Sequence, residues 1–202
     1  MIVTGVDEVG RGSLVGPLYA VAACFTGDEH SHCPIPGVRD SKEFRDKVEM
    51  QRVYRAILKS PALLALGWGI ASVEEINTHG IDVANLLAFK QAVLQVAQEM
   101  PPGLIIIDGL RPIPGLPAGA QKILPKADKL YWQVSAASIL AKVLRDEHLR
   151  DLDKLCPGYG WSENSGYGTQ SHRQAILDRG PTPYHRRQFI QKIIGGREKQ
   201  WT

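Results

Sequence analysis

The spacing of apolar and polar positions divides the chain into short strands and amphipathic helices. Ile2–Asp7 is rich in β-branched residues and predicts a strand. A Gly-rich turn follows from Val9 to Pro17. Leu18–Phe25, almost wholly apolar, then predicts a second strand buried on both faces. The short connection between them suggests antiparallel neighbours. Residues 26–39, with Pro and His, read as a loop. Asp40-Ser41-Lys42-Glu43 has the spacing of a helix start, with Asp40 as cap and Glu43 three positions on. Helical spacing continues through Val48, Val53 and Ile57 to Ser60-Pro61. Leu63–Ala71 predicts a third strand, and Ser72-Val73-Glu74-Glu75 another capped start. After Gly80, Leu86, Leu87, Ala88, Val93, Leu94 and Val96 form the apolar side of a helix ended by Pro101-Pro102.

Leu104–Asp108 predicts a short buried strand ending in a carboxylate, followed by a Pro/Gly-rich crossover. Ser135 to about Leu155 predicts a long helix stopped by Pro157-Gly158. A Gly- and Tyr-rich loop covers 158–168. A short helix spans about Gln170–Asp178, and a last basic helix begins near His185. Strands first, alternation next and helices last predict a mixed α/β sheet with a helical C-terminal appendage.

Composition adds bounds. The 202 residues are 44% hydrophobic with a net charge of +3, the profile of a folded globular chain rather than a disordered one. Residues 1–141 carry 13 basic and 14 acidic side chains, a net of −1, so the positive excess lies in the last third. Cys24, Cys33 and Cys156 form no paired pattern, which fits a reducing, cytoplasmic setting. Cys24, His30, His32 and Cys33 match no usual zinc spacing. No apolar run reaches the roughly 18–20 residues of a membrane span, and the N-terminus lacks the pattern of a signal peptide.

Three places carry candidate chemistry. Asp7-Glu8 puts two carboxylates at the end of an apolar strand, where they are costly to desolvate without a positive partner. Adjacent strand residues point to opposite faces, so both serve one site only if the strand breaks at Glu8. Gly10 and Gly12 of the following turn let backbone N–H groups approach a ligand, and Arg11 sits beside the carboxylates. Asp108 ends a strand with no other polar residue, where ligands gather in open α/β sheets. Asp128 precedes the long helix. Together, Asp7, Glu8, Asp108 and Asp128 suit hard divalent cations such as Mg²⁺ or Mn²⁺. Two such ions can catalyse phosphodiester hydrolysis.

The block Asp7-Glu8-Val9-Gly10-Arg11-Gly12 resembles the signature of the type 2 ribonucleases H, the ribonuclease HII family. Residues 34–42 resemble that family's next block. Ser135 to Asp146 resembles its long-helix signature. Ser165-Gly166-Tyr167-Gly168-Thr169, His172, Gly180-Pro181-Thr182-Pro183 and His185-Arg186 resemble its C-terminal block. The likeness spans about residues 2–190. Ala127 stands where the family usually has Gly, and Gln188 where it often has Ser.

The resemblance implies a ribonuclease H-like mixed five-stranded sheet flanked by helices. Residues 1–155 would form the catalytic part, with 156–202 a helical substrate-binding part packed on it as one compact unit. It implies Asp7, Glu8, Asp108 and Asp128 as metal-binding catalytic carboxylates with Mg²⁺ or Mn²⁺ as cofactor. The implied substrates are RNA–DNA hybrids and duplex DNA containing ribonucleotides. Cleavage would fall 5′ of the ribonucleotide, leaving 3′-hydroxyl and 5′-phosphate ends. Gly10, Arg11 and Gly12 would sense the 2′-hydroxyl, and Tyr167 would pack against the sugar at the RNA-to-DNA junction. Ser41, Lys42, Lys142 and Arg145 would contact phosphate or order the carboxylates. His172, His185 and Arg186 are further candidates, though each histidine also suits a structural role. Trp68, Trp132, Trp161 and Trp201 suit packing; Trp161, in the Gly/Tyr loop, is the best placed to stack on a base. The tail after Ile194 lacks the apolar-aromatic pattern of a sliding-clamp-binding peptide. A monomer suffices for this function. Two rivals share the scaffold. A resolvase- or transposase-like DNA nuclease would not need the Gly10-Arg11-Gly12 turn or Tyr167. A silent nucleic-acid-binding protein would be expected to lack one of the carboxylates.

Overall fold

The computed structural model describes residues 1–195; Trp201 and most of the tail lie outside the described residues. Five strands, β1 (Ile2–Val9), β2 (Leu18–Thr26), β3 (Leu63–Ala71), β4 (Leu104–Asp108) and β5 (Gln121–Leu124), form one sheet in the order β3-β2-β1-β4-β5. β1 is antiparallel to β2 and parallel to β4, and β5 is parallel to β4. The sheet is therefore mixed, as expected. The four-residue β5 is too short to show a period of its own. It forms by pairing with β4 at the sheet edge.

Among the described residues there are seven α-helices: α1 (Lys47–Leu58), α2 (Val73–His79), α3 (Ile81–Glu99), α4 (Trp132–Leu155), α5 (Trp161–Asn164), α6 (Gln170–Arg179) and α7 (Arg187–Ile194). One apolar cluster joins the sheet to α3 through Val6, Ala20, Ala88, Phe89, Ile105 and Ile107. A second joins the opposite face to α1 and α4 through Val21, Phe25, Ile57, Ala137 and Leu140. A third ties the last helices to residues 14–15 and the end of α4 through Leu149, Trp161, Ile176 and Ile190. Gly5 admits the start of α4 hard against β1. A Cβ there would collide with the Gln133 and Val134 backbone. That close approach sets α4 beside Asp7.

Three boundaries differ from the sequence reading. Asp40 does not start α1. Its carboxylate caps a single 3₁₀ turn, Ser41–Glu43, by accepting from Lys42 N, and the chain turns extended at Phe44. The α1 cap is Asp46, which accepts from Val48 N. The capping spacing at Asp40 thus marks a local turn that delivers Ser41 and Lys42 to the site. α4 begins at Trp132, one turn before Ser135. β1 also runs unbroken to Val9, with Glu8 opposite Ala20 and Val9 opposite Tyr19.

Candidate active site

The pairing of Val6 with Ile107 sets Asp7 and Asp108 level at the C-terminal ends of two adjacent parallel strands. Asp128 arrives from a 3₁₀ turn, Ala127–Lys129, between β5 and α4. One carboxylate oxygen from each of Asp7, Asp108 and Asp128 lies within 4.8 Å of the others. The left-handed backbone in this loop belongs to Lys126, at φ 62°, whose N–H donates to Asp108 at 2.8 Å. Ala127, where the family usually has Gly, is buried in the turn and needs no positive φ. The Ser135 hydroxyl donates to the Asp128 carbonyl at 2.5 Å, tying the turn to α4.

Glu8 lies outside that set of three. Because the strand does not break, alternation holds. Asp7 faces Ser138 of α4 and Glu8 faces α3, where Asn85 donates to it at 3.4 Å. Glu8 still feels Asp108, so it borders the cluster from the other side of the sheet end. Sequence reading missed Asn85 and Ser138. Each is a polar residue amid small apolar helix neighbours, and that contrast is the available signal.

The electrostatics are those of crowded acids. Burial first, then Glu8 and Asp108, push the Asp7 carboxyl well above the usual range. Burial also raises Glu8 to about 7, against the pull of Asn85 and Arg11. Asp108 is raised by burial and by Asp128. Asp128 Oδ1 is buried without a hydrogen-bond partner. Lys42 Nζ reaches Asp128 Oδ2 at 3.4 Å but is 78% exposed, too weakly held to neutralise the group. Three clustered oxygen donors, raised carboxyls and an orphaned carboxylate oxygen fit a hard divalent cation.

The other candidates separate into two sets. Arg11 and Lys42 are exposed and close enough to act on Glu8, and Gly12 and Tyr167 are exposed side by side, the Tyr167 ring 3.7 Å from where a Cβ at Gly12 would lie. Arg11 pairs with Asp82 at the start of α3, at 2.5 Å. Ser41 is buried, its hydroxyl 2.9 Å from that of Ser138. Lys142 pairs with Asp146 at 2.7 Å and donates to Ser165 at 3.1 Å, close to Tyr167 in sequence.

The second set is buried. Arg145 is fully enclosed and donates to the carbonyls of Pro17, Ser165 and Val15. It therefore ties two loops together and does not reach phosphate. Arg186 is likewise enclosed against Gly10, Arg11 and Gly16. Trp161 is not free to stack on a base. It is buried, stacks on Tyr159 at 5.1 Å and donates to His172 Nε2 at 3.0 Å. His172 Nδ1 lies 2.9 Å from the Tyr167 carbonyl, and its Nε2 lies 3.2 Å from His185 Nε2. Burial lowers both histidines, and His185, also facing His172, falls to about 3. Both are neutral interior groups at physiological pH.

Comparison with known proteins identifies the family. The sequence profile described as Ribonuclease HII matches residues 4–192. A ribonuclease HII from Synechococcus sp. (strain JA-3-3Ab) is 43% identical over 187 residues, covering 93% of this chain and 80% of that protein. The ribonuclease H2 structure from Pyrococcus horikoshii OT3 superposes with a TM-score of 0.72 at 24% identity, covering 100% of this chain and 99% of that one. The structure of Bst-RNase HIII in complex with Mn²⁺ gives a TM-score of 0.69 at 21% identity, covering 100% of this chain and 64% of that one. With its sheet order, its carboxylate cluster and a profile match over nearly its whole length, the chain belongs to the ribonuclease HII family and is a ribonuclease H.

Proposed function

We propose that this enzyme hydrolyses the RNA strand of RNA–DNA hybrids and incises duplex DNA 5′ of single embedded ribonucleotides. The products would carry 3′-hydroxyl and 5′-phosphate ends. The observation that carries the reading is the convergence of Asp7, Asp108 and Asp128 within 4.8 Å, beside the Gly10–Gly12 turn and an exposed Tyr167. These three carboxylates, with Glu8 at their border, would hold Mg²⁺ or Mn²⁺; the Bst-RNase HIII structure contains Mn²⁺. When bound, the cations supply Lewis acidity to phosphodiester hydrolysis.

The chain's own residues do the rest. The Glu8 N–H donates to Asp7 at 2.8 Å and the Lys126 N–H to Asp108, so the carboxylates are aimed before substrate arrives. Lys42, exposed beside Asp128, would meet a phosphate oxygen. Backbone N–H groups of the Gly turn would bond the 2′-hydroxyl, which separates a ribonucleotide from its deoxy neighbours. A site built for that hydroxyl rejects the analogue lacking it. Tyr167 would support the adjacent sugar. Lys142 would orient the Ser165–Tyr167 loop. Residues 1–155 would then supply the chemistry and 156–202 the sugar-facing wall, in a cytoplasmic monomer.

The test is incision of a DNA duplex carrying one ribonucleotide, with Mg²⁺ or Mn²⁺. A single cut on the 5′ side of the ribonucleotide is expected, with cleavage of a long RNA–DNA hybrid and none of an all-DNA duplex. Equal cutting of all-DNA, or no cut at the ribonucleotide, overturns the reading.

A further inference from the structure

Two arginines lie under the Gly10–Gly12 turn, both with 0% exposure. Buried guanidiniums usually face carboxylates. Here the acceptors are backbone carbonyls. Arg186 Nη1 donates to Gly10 O at 2.7 Å and to Arg11 O at 3.1 Å, while its Nε donates to Gly16 O at 2.9 Å. One planar fork thus spans both ends of the loop from Gly10 to Gly16. Arg145 packs against Gly10 from the other side, so closely that a Cβ on Gly10 would collide with its guanidinium. Gly10 itself sits at φ 93°, which favours glycine.

The consequence follows from peptide geometry. In a trans peptide the C=O and N–H point in opposite directions, and no peptide bond here is cis. The carbonyls of Gly10 and Arg11 point inward to one guanidinium nitrogen. The N–H groups sharing those two peptides belong to Arg11 and Gly12, and they must point outward. The ring of Tyr167 adjoins Gly12, 3.7 Å from where a Cβ there would stand. Arg186 therefore fixes two successive amides as a donor pair facing the place where a sugar hydroxyl would lie.

We infer that Arg186 is the positioning residue for 2′-hydroxyl discrimination, acting through the orientation of the Arg11 and Gly12 amides. This rests on the proposed reading that the turn senses the ribose. Its role is geometric: a lysine keeps the charge but, as a single donor point, cannot span Gly10 and Gly16 together.

The experiment is steady-state incision of a single-ribonucleotide duplex with Mn²⁺, using an all-DNA duplex of the same sequence as competitive inhibitor. For Arg186→Lys and Arg186→Gln, kcat/KM on the ribonucleotide duplex should fall at least about tenfold, while the inhibition constant of all-DNA stays within about twofold. A general loosening would weaken both duplexes together. That result, or folded variants with unchanged kcat/KM, overturns the inference. Where neither variant folds, amide hydrogen exchange on the wild-type protein decides, with Mn²⁺ withheld. Arg11 and Gly12 amides should be protected by the ribonucleotide duplex and not by all-DNA. Equal protection by both, or by neither, overturns it. A wild-type enzyme that fails to incise the ribonucleotide duplex instead defeats the functional reading itself.

Discussion

Two regions of this molecule bury charge, and they treat it in opposite ways. At the ends of β1 and β4, acids crowd one another, their carboxyls are raised, and Asp128 keeps an oxygen without a partner. Beneath the Gly turn, Arg145 and Arg186 are just as deeply enclosed, but backbone carbonyls surround them. The first arrangement is costly alone and, on the proposed reading, would become favourable when a cation enters. The second holds a shape: every guanidinium nitrogen of Arg145 and two of the three of Arg186 donate to backbone carbonyls, and Arg186 Nη2 alone stays without a partner. Like charges crowded together mark the candidate chemistry here, and a cation shared among backbone carbonyls of distant loops marks architecture.

The sharpest way to break that contrast is to remove one acid. Asp7→Asn should lower incision by about a thousandfold or more, since on the proposed reading it removes a metal ligand. It should leave the melting temperature unchanged or higher in chelator, because like-charge repulsion is relieved. Addition of Mn²⁺ should raise the melting temperature of the wild type and not of the variant. A variant that keeps its turnover would make the acid cluster structural.

The complementary change belongs to the other region. Trp161→Ala should cost about 3–5 kcal/mol of stability, because it empties a fully buried site under the Tyr167 loop. Urea unfolding checks this. A loss below 1 kcal/mol, read as about the scale of a surface change, would mean that the C-terminal core is not closed around Trp161.

The two regions should also respond to pH with opposite sign. His185 has a folded value of about 3 against an ordinary histidine value of 6.5. Between those values the unfolded chain takes up a proton that the folded chain refuses. This stability is fully present above pH 6.5 and is lost as pH falls towards 3, by up to about 1.4 kcal/mol per pH unit. The acids, raised when folded, favour the folded state as pH falls. Unfolding of wild type and His185→Gln at pH 7 and pH 5 separates the two: the variant should lose less stability on acidification. Identical slopes would show that His185 is not held neutral.

The smallest effect is expected where the regions meet. Tyr167 is 41% exposed and belongs to none of the apolar clusters. Tyr167→Ala should slow junction incision about tenfold and change stability by no more than about 0.5 kcal/mol. A large stability loss would place Tyr167 with the buried network instead.

Much of the frame was legible from pattern alone. Four of the strands show in apolar runs, and α3 and α4 in helical spacing, because local burial imposes those periods. β5 was not, since Gln121–Leu124 becomes a strand only through β4. The capping spacing at Asp40 misled for a related reason. The same side-chain cap, an Asp carboxylate accepting from the N–H two residues on, opens the 3₁₀ turn at Asp40 and α1 at Asp46, and the path of the chain beyond the first depends on where Ser41 and Lys42 are held.

The sequence by itself determined which residue types carry the chemistry, as a Gly turn beside two acids and two isolated aspartates need no context to be noticed. Only the tertiary structure decided their roles. It placed Asp7 and Glu8 on opposite faces of an unbroken strand, and it turned Trp161, Arg145 and Arg186 from surface candidates into interior supports. The physical reason is that side-chain identity fixes what a group can donate or accept, whereas its partners come from distant segments. Residues 10 and 186 meet through packing that no local pattern records.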